Sequence, residues 1–412
     1  MQHAPSHTEA PQATQAVPAG ASDHPGHAGL ALLALAIGAF GIGTTEFGPM
    51  GFLPIIATGV DVSIPTAGML VSAYAFGVTI GAPLMTLLLA RWPRRQALIA
   101  LMAIFTLGNI LSALAPGYTS LLLARLVTSL NHGAFFGLGS VVAASLVPRD
   151  KQASAVATMF LGLTVANIGG VPAATWLGQT IGWRMSFAAT AGLGVLAMLA
   201  LRLALPPGAR GRVPNVRAEL AVLTRRTVLL ALATTVMGAS AMFTLYTYIA
   251  PTLEQLSGAS PSFITAMLVL VGVGFTLGNM AGGRLADRWP NGSLIGFLTL
   301  LAVVMLAYPW LAASRTGTAA ALLVWGMAAF AVVPPLQMRV MRAAAEAPGL
   351  ASSVNIGAFN LGNALGAAIG SAVLKAGLGY QAVPLAGAVV ALLGLALAVG
   401  QALQQRQDQN GF

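Results

Sequence analysis

The sequence predicts an all-α membrane protein with twelve transmembrane helices in two pseudo-symmetric six-helix bundles. Three observations predict this fold class: the hydropathy of the chain, the length of its apolar runs and an internal repeat. Of the 412 residues, 57% are hydrophobic and only 7% are charged, and the mean hydropathy is +0.82. Soluble domains carry roughly a quarter charged residues. Most of this chain is therefore too apolar to face water.

The apolar runs have the length of membrane-spanning helices. About 20 helical residues are needed to cross a hydrocarbon core of about 30 Å, and the runs lack the period-two alternation of a β-barrel. Six runs precede a polar connection and six follow it. They are predicted at 30–56, 67–89, 96–115, 120–147, 153–176 and 185–205, and then at 228–250, 263–285, 294–313, 318–341, 350–374 and 382–402.

Polar segments divide the chain into five parts. Residues 1–28 contain no apolar run and are interpreted as a disordered cytoplasmic tail. Residues 29–205 and 227–403 form the two predicted bundles. The cytoplasmic linker between them, 206–226, contains three prolines and five arginines, and residues 404–412 form a second cytoplasmic tail.

Basic residues are concentrated on one side of this topology. With the N-terminal tail in the cytoplasm, sixteen of the twenty Lys and Arg residues fall in cytoplasmic segments, while Arg184, Arg315 and Lys375 fall outside and Arg125 falls within a span. Such a bias sets membrane orientation, so both termini are predicted to be cytoplasmic in a bacterial inner membrane. The net charge of +10 then needs no nucleic-acid partner, because anionic membrane lipid is a sufficient one.

The two halves repeat at an offset of 197 residues. The residues that coincide include Gly77, Thr79, Gly81, Leu88, Arg91, Trp92 and Pro93 with Gly274, Thr276, Gly278, Leu285, Arg288, Trp289 and Pro290. A parallel duplication of a six-helix unit is the architecture of major-facilitator transporters, whose substrate site lies between the halves near the membrane midplane.

Several motifs carry a family resemblance over nearly the whole chain. They are GTTEF at 43–47, AR at 124–125 followed by HGAFFG at 132–137, and GWR at 182–184. In these the chain resembles the major-facilitator drug:proton antiporters, and most closely an arabinose-efflux-permease-like branch that includes sugar, purine and chloramphenicol exporters. The resemblance implies alternating-access export of a small organic molecule, driven by the proton gradient without a cofactor. We expect the protein to work as a monomer.

The loop signature of this family indicates gating residues. The pattern Gly-x-Leu-Ala-Asp-Arg is intact from Gly283 to Arg288, whereas the first-half counterpart keeps Arg91 but has Ala90 in place of the acid. We therefore expect Arg91, Asp287 and Arg288 to act in gating. An acid such as Asp287 can cap a neighbouring helix N-terminus or pair with arginine while the cytoplasmic side is closed. The alternative is a solvated loop charge.

Glu46 is the candidate proton-coupling acid because it is the only acid within a predicted span. A charge near the centre of a spanning helix costs roughly 2.5 to 3.5 kcal/mol, so such a residue normally faces a cavity or a partner. Burial disfavours the carboxylate and a nearby cation favours it, and this balance suits proton exchange. A structural ion pair or a water-exposed helix end is the competing interpretation.

Arg125 and His132 are the candidate partners of Glu46. Arg125 lies five residues inside the fourth span, where it could pair with Glu46, and the resemblance implies a part in proton transfer for this arginine. His132 lies on nearly the same helix face, and histidine titrates near neutral pH. The alternatives are an arginine that snorkels to the interface and a neutral histidine in an interhelical hydrogen bond.

Asn167 and Tyr246 are candidates for lining the substrate cavity, among polar residues that mostly serve interhelical hydrogen bonds. Gly362, Gly366 and Gly370, spaced by four, predict close helix packing. A disordered tail would not preorganise its histidines for a metal ion, so no metal is expected.

Other function classes lack their motifs. The chain has no phosphate-binding Gly-x-x-x-x-Gly-Lys-Ser/Thr loop, no nucleophile elbow and no HExxH pair, which disfavours a transport ATPase and an enzyme. A proton symporter that imports a sugar or nucleoside is the main alternative, and a non-transporting sensor is a remote one.

Overall fold

A computed structural model describes residues 25–62, 64–207 and 216–410, and in these ranges the chain forms seventeen α-helices. The helices of the N-terminal half are α1 Pro25–Gly51, α2 Leu53–Gly59, α3 Ile64–Leu89, α4 Arg94–Ala113, α5 Tyr118–Ser145, α6 Gln152–Val165, α7 Val171–Thr180 and α8 Trp183–Ala204. After α9 Val216–Leu223, those of the C-terminal half are α10 Arg226–Tyr246, α11 Ile249–Ser257, α12 Pro261–Arg288, α13 Pro290–Leu311, α14 Arg315–Ala331, α15 Val333–Ala343, α16 Pro348–Lys375 and α17 Ala382–Asn410.

Twelve stretches of these helices are long and apolar enough to cross a membrane, as predicted. Two spans are interrupted and consist of two helices each, α6 with α7 and α14 with α15. Within each half the helices pack side by side, and the halves meet where α12 contacts α6 and where α16 contacts α3 and α5. The prediction of two six-helix bundles is confirmed.

The internal repeat is visible in helix packing. In the N-terminal half, α3 crosses α5 so closely that a Cβ on Gly81 would lie 3.0 Å from the Cα of Leu130. In the C-terminal half, α12 crosses α14 in the same way, and a Cβ on Gly278 would lie 2.0 Å from the carbonyl oxygen of Met327. Met327 follows Leu130 by the same offset that relates the two glycines. The repeat therefore places equivalent residues at equivalent helix crossings.

The first span ends earlier than predicted. We expected a single helix to Ile56, but α1 ends at Gly51 and the short helix α2 begins at Leu53. Pro54 explains the break, because it lacks an N–H and its ring clashes with the carbonyl group four residues earlier. Phe52, at the junction, is buried against Phe187 with ring centroids 6.2 Å apart.

The interrupted spans also break at prolines. Between α6 and α7, Ala166–Gly170 forms one turn of π-helix, in which the Val171 N–H donates to the Ala166 carbonyl. Pro172 cannot donate to the carbonyl of Ile168, so the ladder is already weakened there. Between α14 and α15 the break falls at Val332, just before Pro334 and Pro335.

The predicted polar segments are partly helical. Of the predicted tail 1–28, residues 1–24 lie outside the described residues, and α1 begins at Pro25. Within the predicted linker, 208–215 lies outside the described residues, but α9 is a helix. The second tail was expected from residue 404, yet α17 continues to Asn410, because its Gln-rich end consists largely of good helix formers.

The glycine series on α16 packs as predicted. A Cβ on Gly362, Gly366 or Gly370 would lie 2.5 Å from Ala239, the Ser240 carbonyl oxygen or Tyr248, all on or just after α10. The absence of side chains on this stripe lets the two helices approach closely.

Candidate functional site

A cavity lies between the two halves, and both interrupted spans border it. The N-terminal half contributes Glu46 from α1, His132 from α5 and Asn167 from the π-helical turn. From the C-terminal half, Phe330 and Val333 line it on either side of the break between α14 and α15. Interrupted helices and π-helical turns often mark binding sites, because irregular backbone is tolerated where it lines a cavity.

Glu46 is the only acid of the twelve spans that lies more than one helical turn from a span end. Its side chain lines the cavity and is 12% exposed. The carboxylate oxygen Oε2 lies 4.0 Å from Nδ1 of His132. Glu46 is thus a largely buried carboxyl group that opens on the cavity beside a second titratable side chain.

The expected direct ion pair between Glu46 and Arg125 does not form within 4.0 Å. Instead, Nη1 of Arg125 donates to Oγ1 of Thr45 at 3.2 Å, and the guanidinium lies over the Tyr74 ring, 4.3 Å from its centroid. Arg125 is 1% exposed, which excludes the snorkelling alternative in this conformation. The guanidinium is held by the Tyr74 ring and by Thr45 instead of by the Glu46 carboxylate.

Arg125 anchors a polar network that joins three helices. Thr45 on α1, which accepts from Arg125, donates in turn to Oδ1 of Asn109 on α4 at 2.7 Å. Asn109 then donates from Nδ2 to the Phe105 carbonyl oxygen at 2.9 Å. Nε and Nη2 of Arg125 are buried without a hydrogen-bond partner. The charge of Arg125 is therefore only partly satisfied, although Glu46 is the next residue after Thr45.

His132 connects this network to the cavity. Its Nδ1 lies 3.1 Å from the hydroxyl of Tyr74, with the donor set by the histidine tautomer, and 4.0 Å from Glu46. Glu46, Arg125 and His132 are thus brought together around Tyr74. Sequence reasoning missed Tyr74, although a tyrosine in the middle of an apolar span is itself a signal of a polar contact.

Asn167 and Tyr246 both line the cavity. The Nδ2 of Asn167 donates to the Leu163 carbonyl oxygen at 3.0 Å, which leaves its carbonyl oxygen and its second N–H able to bind a ligand. Tyr246 belongs to an aromatic wall in which its ring lies 5.6 Å from Phe275, and Phe275 stacks on Phe330 at 4.2 Å.

The C-terminal half adds amide groups that the sequence analysis did not assign to the cavity. Asn355 donates to Oε1 of Gln337 at 2.6 Å and accepts from Thr235 at 2.7 Å. Asn360 and Asn363 follow on the same helix and also line the cavity. The spacing of these asparagines along α16 indicates that they share part of the helix surface. The sequence does not show whether that surface faces the cavity, because apolar residues occur all around the helix.

Asp287 lies at a contact between the halves, on the side that carries the basic loops. Its carboxylate accepts from the backbone N–H groups of Ala153 and Ser154 at 2.7 and 2.9 Å, and from the Ser154 hydroxyl at 2.5 Å. A carboxylate in this position caps α6 and interacts favourably with its dipole.

Three further hydrogen bonds cross between the halves on the same side. Asn279 donates to the Ala157 carbonyl oxygen at 2.6 Å, Thr86 to Ser353 at 2.6 Å, and Gln337 to Ser140 at 3.3 Å. Together with the Asp287 contacts, they close the cavity on the side of the basic loops.

The two predicted gating arginines do not take part in this closure. Arg288 lies over the Trp289 ring, 5.0 Å from its centroid, and is exposed. Arg91 is also exposed, and it forms no hydrogen bond or ion pair with the described residues. The expected pairing of Asp287 with an arginine is therefore replaced by its bonds to the backbone of α6.

Two similar helical halves around a central cavity define a polytopic transport protein. The sequence profile of the Major Facilitator Superfamily matches residues 35–355, and the chain belongs to this superfamily. The inner membrane transport protein YdhP of Escherichia coli (strain K12) is 71% identical over 374 residues, which cover 91% of this chain and 96% of YdhP.

Two further similarities agree with this assignment. The chloramphenicol resistance protein of Streptomyces lividans is 35% identical over 349 residues, covering 84% of this chain and 89% of that protein. The crystal structure of the Escherichia coli fucose:proton symporter FucP has the same fold, with a TM-score of 0.72, 15% identity and coverage of 90% and 98%. The resemblance to the major-facilitator exporters is confirmed. The chain is a multi-pass transporter of the inner membrane rather than an enzyme.

Proposed function

We propose that this transporter exports small organic molecules such as drugs, sugars or purines in exchange for protons, by alternating access. The single observation that supports this most is the position of Glu46, a buried acid that opens on the central cavity beside Arg125 and His132. The similarity to a chloramphenicol resistance protein favours export as the direction.

Glu46 is the proposed proton carrier. A coupling group must bind its proton differently in the two conformations, since a proton bound equally in both would shift neither population. The ionised carboxylate would offset the partly satisfied charge of Arg125, whereas the neutral carboxyl is better suited to burial. Opening and closing of the halves changes the balance between these two effects. His132 and Arg125 lie close enough to Glu46 to assist this proton exchange.

The cavity walls suit ligands that combine apolar and hydrogen-bonding groups. Most of the apolar lining residues are aromatic, and Asn167, Gln337 and the asparagines of α16 supply directional polar contacts. Binding pockets of this type orient a largely apolar ligand through a few polar groups.

Accumulation assays in an efflux-deficient host test the proposal. Cells expressing the chain should accumulate less of a transported compound, with chloramphenicol as the first probe and a panel of drugs, sugars and purines to follow. An uncoupler should abolish the difference, and Glu46→Gln should do the same at wild-type protein levels. Glu254→Gln is the matched control, because Glu254 is an exposed acid outside the spans.

Other outcomes would contradict the proposal. If the protein raises accumulation and an uncoupler removes that increase, the chain is a proton symporter that imports its substrate. If Glu46→Gln still maintains a full uncoupler-sensitive gradient, the proton site lies elsewhere, and His132 is the next residue to test.

A further inference from the structure

A second cavity, of about 510 Å³, lies entirely within the C-terminal half. It is bordered by α10, α15 and α17 and by the junction of α12 with α13, on the side of the basic loops. It shares no lining residue with the central cavity. The export cycle proposed above does not use it.

Two arginines on α15 line this second cavity. Arg339 is half-buried, and its Nη2 donates to Oδ1 of Asn291 at 3.2 Å. Its Nη1 is buried without a hydrogen-bond partner. Arg342, three residues later, is exposed at the same cavity. Residues three apart lie on one helix face, so two guanidinium groups border the same space, and one of them has an unused donor.

Among the described residues, no acid that lines this cavity balances its charge. No Asp or Glu is among its described lining residues. Asp287 follows the lining residue Ala286, but its carboxylate is bound to the backbone of α6. Glu346 is exposed and accepts from Nη1 of Arg225 at 2.7 Å, and this hydrogen bond lowers the pKa of Glu346. Both acids are therefore engaged elsewhere.

The remaining walls suit an anion with an apolar part. Pro290 and Asn291 begin the 22-residue helix α13, and a helix N-terminus favours negative charge. Gln404 on α17 adds an amide group, whereas the Nε2 of Gln401 already donates to the Leu230 carbonyl oxygen and to Thr234. Leu230 and Met338 are apolar. The planar guanidinium of an arginine can bind a phosphate group through two parallel hydrogen bonds. Basic pockets between spanning helices on the cytoplasmic side suit lipid headgroups.

We propose that this second cavity is a binding site for a phosphate group, held by Arg339 and Arg342, either on an anionic phospholipid or on a soluble phosphate. Arg339 supplies a half-buried charge inside the cavity, and Arg342 supplies an exposed charge at its entrance. This site is independent of the export function proposed above.

Thermal unfolding of the full-length protein in detergent tests this site. Inorganic phosphate and dioctanoyl phosphatidylglycerol are titrated separately, each against chloride at matched ionic strength. A ligand that binds only the folded protein raises the Tm in a saturable way. We expect at least one probe to raise the Tm in this way. Arg339→Gln and Arg342→Gln should each weaken the binding of that probe at least about tenfold, because each removes one charge-assisted hydrogen bond.

Arg202→Gln is the matched control, because Arg202 is exposed near the end of α8 and away from the cavity. Its binding should equal that of the wild type. Binding of the lipid alone identifies a headgroup site, and binding of phosphate shows that the free anion suffices. If neither probe raises the Tm above chloride, or if both cavity variants bind like the wild type, the proposal is wrong. If Arg339→Gln does not fold, probe binding by Arg342→Gln, a substitution at an exposed position, still tests the proposal.

Discussion

Arg125 has an uneven set of contacts. Its guanidinium lies over Tyr74 and donates to Thr45, yet two of its nitrogens are buried without a partner. A buried charge that lacks partners is costly. A negative charge nearby offsets that cost, and Glu46 is the acid that can supply it. The state of Glu46 therefore matters to Arg125 without a direct ion pair.

We expect Arg125→Lys to lower the rate of uncoupler-sensitive export at least about tenfold. Lysine keeps the charge but has no planar group to lie over Tyr74 while it bonds to Thr45. The measurement is initial efflux rate at equal protein level across pH 5 to 8. Arg184→Lys is the control, because Arg184 also lies over a ring, that of Trp183, and bonds to the Ala115 carbonyl oxygen, far from the cavity. Equal losses in both variants would point to folding rather than coupling.

At the scale of helices, the cap that Asp287 places on α6 joins the two halves. We expect Asp287→Asn to insert normally but to export more slowly, because an amide weakens the three charge-assisted bonds and the interaction with the helix dipole, an effect of about 1 kcal/mol. Asp150→Asn is the control, since Asp150 is an exposed acid at the start of the same span. Export by Asp287→Asn at the wild-type rate would contradict a gating role.

The first-half counterpart offers a complementary substitution. Ala90 occupies the position where the family signature has its acid. We therefore expect Ala90→Asp to be tolerated, or to slow opening by adding a second cap.

The glycine stripe of α16 makes a stability prediction. Alanine normally stabilises a helix relative to glycine by roughly 0.5 to 1 kcal/mol. At Gly366 its Cβ would lie 2.5 Å from the Ser240 carbonyl oxygen, so the helices must separate. We expect Gly366→Ala to lower the Tm by a few degrees, whereas Gly296→Ala, where nothing lies within 4 Å, should not. An unchanged Tm for Gly366→Ala would show that the two helices can accommodate a methyl group at this crossing, contrary to the prediction.

The sequence predicts some elements better than others, for physical reasons. Twelve spans follow from hydropathy and length, and the close crossing at Gly366 follows from glycine spacing. The break at Phe52 and the π-helical turn at Ala166–Gly170 were not predicted, although prolines lie beside both. Proline weakens a helix, but packing decides whether the helix ends, kinks or continues.

The candidate site was predictable in membership but not in contacts. Glu46, Arg125 and His132 are conspicuous because charge is rare within apolar spans. The network through Thr45, Asn109 and Tyr74 was not predicted, since helices that are apolar on all sides carry no signal of which face points inward. The same limitation hid Gln337, whose contact with Ser140 joins the halves.

For the whole molecule, the distribution of basic residues predicts cytoplasmic termini. Reporter fusions after Gly117 and Gly258 should report the outer side, and fusions after Arg95 and Arg212 the inner side. The even number of spans places both termini on one side, and the positive-inside rule selects the cytoplasm. The opposite reporter pattern at these four positions would reverse the topology.

Proton-coupled export through Glu46 requires that proton exchange at this residue shift the balance between two conformations of the whole molecule. The chain has no cysteine, so spin labels will attach only to cysteines that are introduced in pairs. Lys151→Cys with Ala345→Cys reports the cytoplasmic side, and Thr180→Cys with Ser262→Cys reports the opposite side, each pair spanning the two halves. All four positions are exposed.

Spin-label distance distributions for both pairs, recorded from pH 5 to 9 in the wild type and in Glu46→Gln, test this requirement most directly. Coupling through Glu46 predicts that the two wild-type distributions change in opposite senses with pH, one side opening as the other closes. In Glu46→Gln, whose side chain does not titrate, both should be independent of pH. A wild type that does not respond to pH, or a Glu46→Gln variant that responds as the wild type does, would contradict it.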